Sequence, residues 1–388
     1  MRLLQLSILT LGLLLAPSAS AQQSSAVQHY RAYLSALERG DVQAAASEAQ
    51  LALEASQARD GDGGRTAVLA LNVATSRLAA GDAAAATQAA QYALNLARGG
   101  ADGVNVDFAE LILARANLAL GAEDAAAVYA ERLSALLNAP SAETLDDQEV
   151  YLAGAQLGNW GLEHSSYELA QRGWAAAGAR PSGSPSGAAF GLGRARTYEA
   201  ISIILNELDR HRLGRFSQED AYDAHALLSE AARALHPLTD ESPSLELTAA
   251  QQMYAESRAW ISALEALLMS EGVPVPEAPE EAQGDADGWS EVGAVDLTRP
   301  RCQMRLVASP LPRYAISAQV AAVVVFFRVN AAGEIEHSQI AARAGAEQFA
   351  TEVERVVGRW RVEREEGSTP NCRMESNILR TIRFVARR

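Results

Sequence analysis

The sequence predicts a mainly α-helical protein, in which a solenoid of helical hairpins is followed by a small α+β domain of ββαβ order. Two observations carry this prediction. Small residues recur with a period of about forty residues through the first half of the chain, and the last quarter alternates strand-like and helix-like patterns. Helical hairpins repeated at a fixed period are typical of solenoids, because each repeat buries its apolar face only against its neighbours.

The repeat is marked by four glycines spaced 41, 40 and 40 residues apart, namely Gly40, Gly81, Gly121 and Gly161. Small residues follow each glycine at five and nine positions, and Asp41 and Asp82 stand where helix N-caps are expected. Small residues four apart lie on one helix face and allow a partner helix to approach closely. The pattern resembles tetratricopeptide repeats and predicts helical hairpins over residues 22–178.

The last part of the chain predicts two strands, a helix and a strand. Residues 322–330 (AVVVFFRVN) are a run of β-branched and aromatic residues, Gly333 interrupts it, and residues 335–341 continue in an extended pattern. A helix face follows at Phe349, Val353, Val356, Val357 and Trp360. Residues 378–385 form the last predicted strand. The order is that of a compact ββαβ module.

This block resembles the C-terminal domain of TonB-type energy transducers. The positions that match the family's motifs are Tyr314, Ala318, Gly333, Trp360 and Arg361, together with Phe327–Asn330 and Ile382–Phe384. The resemblance implies that the last strand is an open sheet edge, which binds an extended peptide by strand addition. The candidate edge residues are Ile378, Arg380, Ile382, Arg383 and Phe384. Arg380 and Arg383 would complement acidic groups of a partner, or else only keep an edge strand soluble.

The first 21 residues read as a secretory signal peptide. Arg2 precedes a short apolar run over residues 3–16, and Ala19-Ser20-Ala21 is a small-x-small cleavage site. A membrane-spanning helix needs roughly twenty apolar residues, which exceeds this run. We therefore expect export to the periplasm without a stable transmembrane segment. The alternative is an inner-membrane anchor formed by residues 3–16, as an energy transducer would require.

The cysteines and the charge agree with an exported binding protein. Cys302 and Cys372 are the only cysteines, and in an exported chain we expect them to form a disulfide. The chain contains no lysine, and its basic residues are all arginine. The net charge is −15, and this excess of acidic residues argues against nucleic acid as a partner. The basic balance of residues 296–388 suits an acidic partner surface or is an incidental feature of solvated faces.

Composition divides the rest of the chain. Residues 179–188 (Pro-, Ser- and Gly-rich) read as a linker, and residues 189–271 as further helices, either degenerate repeats or a separate helical domain. Residues 272–298 read as an acidic, proline-rich linker that should be extended and solvated. Residues 299–388 then form the TonB-like domain.

No catalytic or metal-binding constellation stands out, and we expect neither an enzyme nor a cofactor. The six histidines show no ligand spacing such as His-Glu-x-x-His. The sequence therefore favours a periplasmic adaptor that binds a protein or peptide, such as an outer-membrane receptor or another envelope protein, with a link to envelope transport. Two alternatives stay open: a TonB-type energy transducer that keeps its anchor, and an enzyme built on residues 189–270.

Overall fold

The computed structural model describes residues 23–121, 123–138, 146–212, 215–241, 247–276, 289–292, 299–308 and 321–384. The described chain is mainly helical, with a small sheet region near its C-terminus. The predicted signal peptide and the motif positions Tyr314 and Ala318 lie outside the described residues. Within the described ranges, none of the helices combines the length and apolar character that a membrane span requires. The chain forms two compact units, one ending at His164 and the other beginning at Ser165.

The first unit is an array of helices packed in sequence order. Its helices are α1 (Gln23–Glu38), α2 (Val42–Asp60), α3 (Gly64–Ala79), α4 (Ala83–Arg98), α5 (Val106–Ala119), α6 (Glu123–Leu137) and α7 (Asp147–Glu163). Each helix from α1 to α6 packs against the next one, and α3 also contacts α5. The predicted small residues are the reason for this close packing: Ala45, Ala86 and Ala126 are at most 1% exposed. The predicted helical-hairpin array is confirmed.

Three of the four predicted turns are correct. Gly40, Gly81 and Gly121 have φ between 71° and 81°, in the left-handed region that favours glycine. Asp41 and Asp82 cap the following helices, and their carboxylates accept bonds of 3.0 and 3.1 Å from backbone N–H groups. These caps satisfy donors that a helix N-terminus leaves free.

The fourth predicted turn is wrong. Gly161 lies inside α7, and the positive φ occurs at Ser165 instead. The register of the repeat therefore slips by four residues. Ala170 takes the buried place that Ala45 has in the first repeat, and the fully buried Trp174 stands where Ala49 would be.

The second unit begins with four helices: α8 (Tyr167–Ala179), α9 (Pro185–Arg212), α10 (Gln218–Leu235) and α11 (Ala249–Ser270). The prediction of a linker over residues 179–188 needs correction, because α9 already begins at Pro185. Ser184 accepts a hydrogen bond of 3.2 Å from the N–H of Gly187, and proline follows it at the first helical position. Proline after a capping serine starts a helix here rather than breaking one.

The sheet region contains six strands and one helix: β1 (Trp289–Glu291), β2 (Met304–Ala308), β3 (Ala321–Val329), β4 (Ile335–Ala344), α12 (Glu347–Val357), β5 (Arg361–Arg364) and β6 (Ser376–Phe384). Four strands form an antiparallel sheet in the order β1-β6-β3-β4, and β2 pairs with β5. β3, β4, α12 and β6 are the predicted ββαβ elements, whereas β5, between α12 and β6, was not predicted.

Helices cover both faces of the four-stranded sheet. Val323, Val325 and Phe327 of β3 pack with α12 on one face. Ala322, Val324 and Phe326 point the other way, into a core shared with α9, α10 and α11. The alternation follows from the two-residue period of a strand. The result is a layered arrangement in which α11 and α12 enclose the sheet.

The predicted solvated linker over residues 272–298 also needs correction. Val273 and Val275 pack against the helical core, residues 289–291 form β1, and Val292 is fully buried. Residues 277–288 and 293–298 lie outside the described residues. Apolar residues within an acidic segment were sufficient to dock parts of it.

The predicted disulfide is confirmed. The sulfur atoms of Cys302 and Cys372 are 2.00 Å apart, and the N–H of Cys302 donates to the carbonyl of Arg373 at 2.9 Å. The bridge joins the segment before β2 to the loop before β6. It closes a long loop, which stabilises the fold by about 4 kcal/mol in the chain-entropy model.

Candidate functional site

The predicted site residues on β6 lie on both faces of the sheet. Ile378, Arg380, Ile382 and Phe384 share the face that α12 covers, because they pair with Phe327, Val325, Val323 and Ala321. The Phe384 ring packs 4.7 Å from that of Phe349, and the Arg380 guanidinium lies 5.8 Å from the Trp360 ring centre. These side chains build the core and its margin.

The predicted open edge of β6 is covered along its first part, from Asn377 to Arg380. β1 lies beside β6 and pairs with residues Ile378, Leu379 and Arg380, and the N–H of Val292 donates to the carbonyl of Asn377 at 3.0 Å. β6 is therefore an interior strand here, which corrects the sequence interpretation. Between Thr381 and Phe384, no strand of the described chain pairs with this side of β6.

The sequence suggested that Arg383 complements an acidic group of a partner, but its guanidinium is already paired within the protein. It points towards α11 and forms an ion pair with Glu265. The second oxygen of Glu265 lies 3.5 Å from Nε2 of His225, which is buried on α10. The sequence analysis missed this cluster. The signal was the position of His225 on the same helix face as Ala221, Ala224 and Leu228, which marks it as a core residue.

A polar row crosses the face that α11 covers, near the end of the sheet at the β3–β4 turn. It consists of Asn377 on β6, Arg328 on β3 and His337 on β4, which are cross-strand neighbours. We call these three residues the polar row. The His337 ring contacts Phe326 edge-on at 6.2 Å, which places it on this face. The sequence analysis did not identify the row, because its members are about ten to fifty residues apart.

The opposite edge of the sheet is β4, and it carries features that discourage strand pairing. Its pairing with β3 is interrupted at two places, and Glu336 and Arg343 are exposed on it. Bulges and charges of this kind protect natural edge strands from other chains. Next to its end, an apolar groove of about 460 Å³ is lined by residues of α9, α11 and β4, including Leu208, Trp260 and Arg343.

In the first unit, hydrogen bonds between side chains join different helices of the array. Arg115 on α5 donates to Glu149 at 3.0 Å and to Gln156 at 3.1 Å, both on α7. On α1, burial raises the pKa of the Tyr33 phenol to about 12, although a hydrogen bond with Ser76 acts in the opposite direction. Because these groups satisfy one another, they stabilise the array rather than present free groups to a ligand.

The remaining predicted positions have structural roles. Gly333 has φ of 79°, and a Cβ there would lie 2.0 Å from the carbonyl oxygen of Val362, whose N–H donates to Gly333. Trp360 is buried edge-on against Phe327, and Arg361 begins β5. In the described part of the chain, no three histidine, cysteine or acidic side chains come together as metal ligands would.

Comparisons with known proteins add little. No family model matches the chain, and none of the curated proteins matches it. Among solved structures, the chain is similar to a TPR-repeat protein from Bacteroides fragilis, with 14% identity over 61% of this chain and 98% of that chain, and a TM-score of 0.23. At that TM-score the likeness carries no weight, so the helical-hairpin architecture rests on the packing described above.

Proposed function

We propose that this protein is an exported binding scaffold, and that β6 of its sheet accepts an extended segment of a partner protein in place of β1. The observation that carries the proposal is the brevity of β1. Three residues cover a strand of nine, and Val292 adds one more backbone bond. A longer segment could pair with β6 over its whole length, and each added main-chain bond would favour it over β1.

The two edges of the sheet support the choice of β6. Charges and bulges protect β4 from other chains, whereas within the described residues only the short β1 pairs with the outer side of β6. A strand from the same chain has a high effective concentration, so it protects the edge while a partner is absent. It can still be displaced, because few bonds hold it. The resemblance of residues 299–388 to TonB C-terminal domains supports the same mode of binding.

Export and an envelope partner belong to the proposal. The Cys302–Cys372 disulfide is of the kind that persists in oxidising compartments, and the first 21 residues have the pattern of a signal peptide. The sheet shares a core with α9, α10 and α11. This packing favours a scaffold over an energy transducer, whose C-terminal domain would follow a long extended linker. Mass spectrometry of the mature N-terminus tests this. A start at Gln22 would exclude the energy transducer, because residues 3–16, its membrane anchor, would have been cleaved off.

A matched pair of proline variants tests strand replacement. The N–H of Val292 points to β6, so the N–H of Ser290 does too, whereas that of Glu291 points away. Ser290→Pro should release β1, and Glu291→Pro should leave it in place. Both chains and the wild type are used as cross-linking baits in envelope extract, with hydrogen exchange of residues 377–384 as the check on β1.

We expect Ser290→Pro to speed exchange of the amides of Asn377 and Leu379, which face β1, and to increase the yield of cross-linked partner several-fold. Glu291→Pro should behave as the wild type in both measurements. Equal yields from the three baits, with β1 demonstrably released in Ser290→Pro, would contradict the proposal.

A further inference from the structure

The polar row is the least satisfied part of the second unit. Asn377 is fully buried, yet among the described residues neither its Nδ2 nor its Oδ1 has a hydrogen-bond partner. Nε2 of His337 is also buried and has no partner in the same part of the chain. A buried polar group left unpaired destabilises the fold, because it has lost its hydrogen bonds to water without replacing them. The polar row therefore holds hydrogen-bonding capacity that the described residues do not use.

The neighbour of Asn377 on the other side explains the missing bonds. Val292 follows β1 and donates its N–H to the carbonyl of Asn377 at 3.0 Å. Val292 is therefore the cross-strand neighbour of Asn377 on the side away from Arg328. Val292 is buried in the core that α11 covers, so its side chain lies on the same face as Asn377. An isopropyl group can neither donate nor accept a hydrogen bond. Residues 289–292 thus pair with the backbone of β6 over residues 377–380 but leave the amide of Asn377 unpaired.

We propose that the partner segment that replaces β1 carries an amide side chain, that of asparagine, at the position of Val292. This inference rests on the proposed strand replacement and names the sequence preference of that site. An amide both donates and accepts, so it can satisfy Nδ2 and Oδ1 of Asn377 together. The partner segment then gains over β1 by the bonds that valine leaves unmade.

The charges around Arg328 favour an amide over a carboxylate. Arg328 by itself would attract an acidic side chain. However, it lines a cavity of about 420 Å³ together with Glu336 and Glu375, whose negative charges oppose an incoming carboxylate. A carboxylate would also leave Oδ1 of Asn377 without a donor. A neutral amide meets neither obstacle.

The test uses fluorescein-labelled ten-residue peptides with the sequence of residues 287–296 and the full-length Ser290→Pro chain, in which β1 competes least. One peptide keeps valine at position 292, and three others carry Val292→Asn, Val292→Asp or Val292→Leu. Fluorescence anisotropy gives the four dissociation constants. We expect the asparagine peptide to bind about tenfold more tightly than the valine peptide, and the leucine peptide to match valine.

A second chain isolates the contact. Asn377→Leu, added to Ser290→Pro, replaces the amide with an apolar side chain of the same branching and number of heavy atoms, so we expect the valine peptide to bind as before and the preference for asparagine to disappear. If no peptide binds to the Ser290→Pro chain, the proposed strand replacement fails. If all four bind equally, strand replacement stands and the amide preference fails. Tightest binding by the aspartate peptide would also overturn the amide preference.

Discussion

The two faces of the C-terminal sheet differ in where their partners come from and in how well they are satisfied. The face against α12 is built from residues 321–384 together with Met304 and Leu306 of β2, and its β3 residues Val323, Val325 and Phe327 are fully buried. The face against α11 receives helices from well upstream in the sequence. Only this second face holds the polar row and the Arg383–Glu265 pair.

This difference separates folding from binding. The face against α12 needs no further partner, because its apolar side chains are stabilised by close packing alone. The other face contains polar groups that the described residues leave unpaired, and Val292, directly after β1, lies next to Asn377 among them. Unpaired groups in a closely packed layer are a cost to the resting fold, and a natural protein retains such a cost where it serves binding.

The largest expected effect comes from the α12 face. Phe327→Ala should lower the free energy of unfolding by about 3–5 kcal/mol, because it removes a fully buried ring that packs edge-on against Trp360. Urea unfolding followed by tryptophan fluorescence measures the change. Exposed Val307→Ala is the control and should have little effect. A loss below 1 kcal/mol for Phe327→Ala would mean that this face is not close-packed.

The ion pair on the α11 face should contribute less. Glu265→Gln should lower the free energy of unfolding by about 1–2 kcal/mol, because Arg383 is partly exposed and water compensates some of the lost charge interaction. The matched control is Glu363→Gln, whose partner Arg305 is well exposed, and it should change stability by less than about 0.5 kcal/mol. Equal effects of the two variants, measured by urea unfolding, would show that the pair with α11 is no more than a surface contact.

The polar row should respond with the opposite sign. Asn377→Leu should raise the free energy of unfolding by about 1 kcal/mol, since it replaces an unpaired buried amide with an apolar side chain of similar size. Asn377→Asp, which buries a charge at the same place, should destabilise the protein. If thermal and urea unfolding show that Asn377→Leu is destabilising, the amide has a partner and the inference drawn from its isolation is wrong.

The smallest effect concerns a carboxyl group on α11 itself. Burial raises the pKa of Glu256, although the Tyr198 hydroxyl, 3.4 Å away, and Arg194 act to lower it. A carboxyl whose pKa is higher in the folded state holds its proton better when folded. Stability is therefore lost as the pH rises from the unfolded pKa through the folded one.

Glu256→Gln removes that loss. It should raise the melting temperature slightly at about pH 7 and leave it unchanged at about pH 4, where the carboxyl is largely protonated. Thermal unfolding at the two pH values measures the difference. A gain that is the same at both values would show that the carboxyl's ionisation is not the cause.

Sequence patterns predicted the elements whose contacts are local. The helix face from Phe349 to Val357 is buried as expected, whereas Trp360, predicted on the same face, is buried just after the helix ends. The strands at residues 321–329, 335–344 and 376–384 lie within a few residues of their predicted bounds. Periodicity reveals such elements because the burial of one face imposes it. The caps and turns of the first repeats were readable for a similar reason, since glycine and aspartate act on their immediate neighbours.

The errors occurred where distant segments meet. Gly161 was taken for a turn because its spacing continued the series, whereas the helix around it runs on to Glu163. Residues 289–292 were read as part of a solvated linker, and their docking on β6 depends on an edge that appears only after the sheet forms. Arg383 was predicted to bind an acidic group of a partner, although its counter-ion is Glu265, which lies 118 residues upstream on α11.

By itself, the sequence determined the helical hairpins, the ββαβ order and the disulfide, because each depends on spacing, caps or the pairing of two cysteines. Only the tertiary structure decided which edge of the sheet is covered, which acid neutralises Arg383 and which amide is left without a partner. These depend on the register between strands and on the helix that covers a face. Register and covering bring together residues that no local pattern connects.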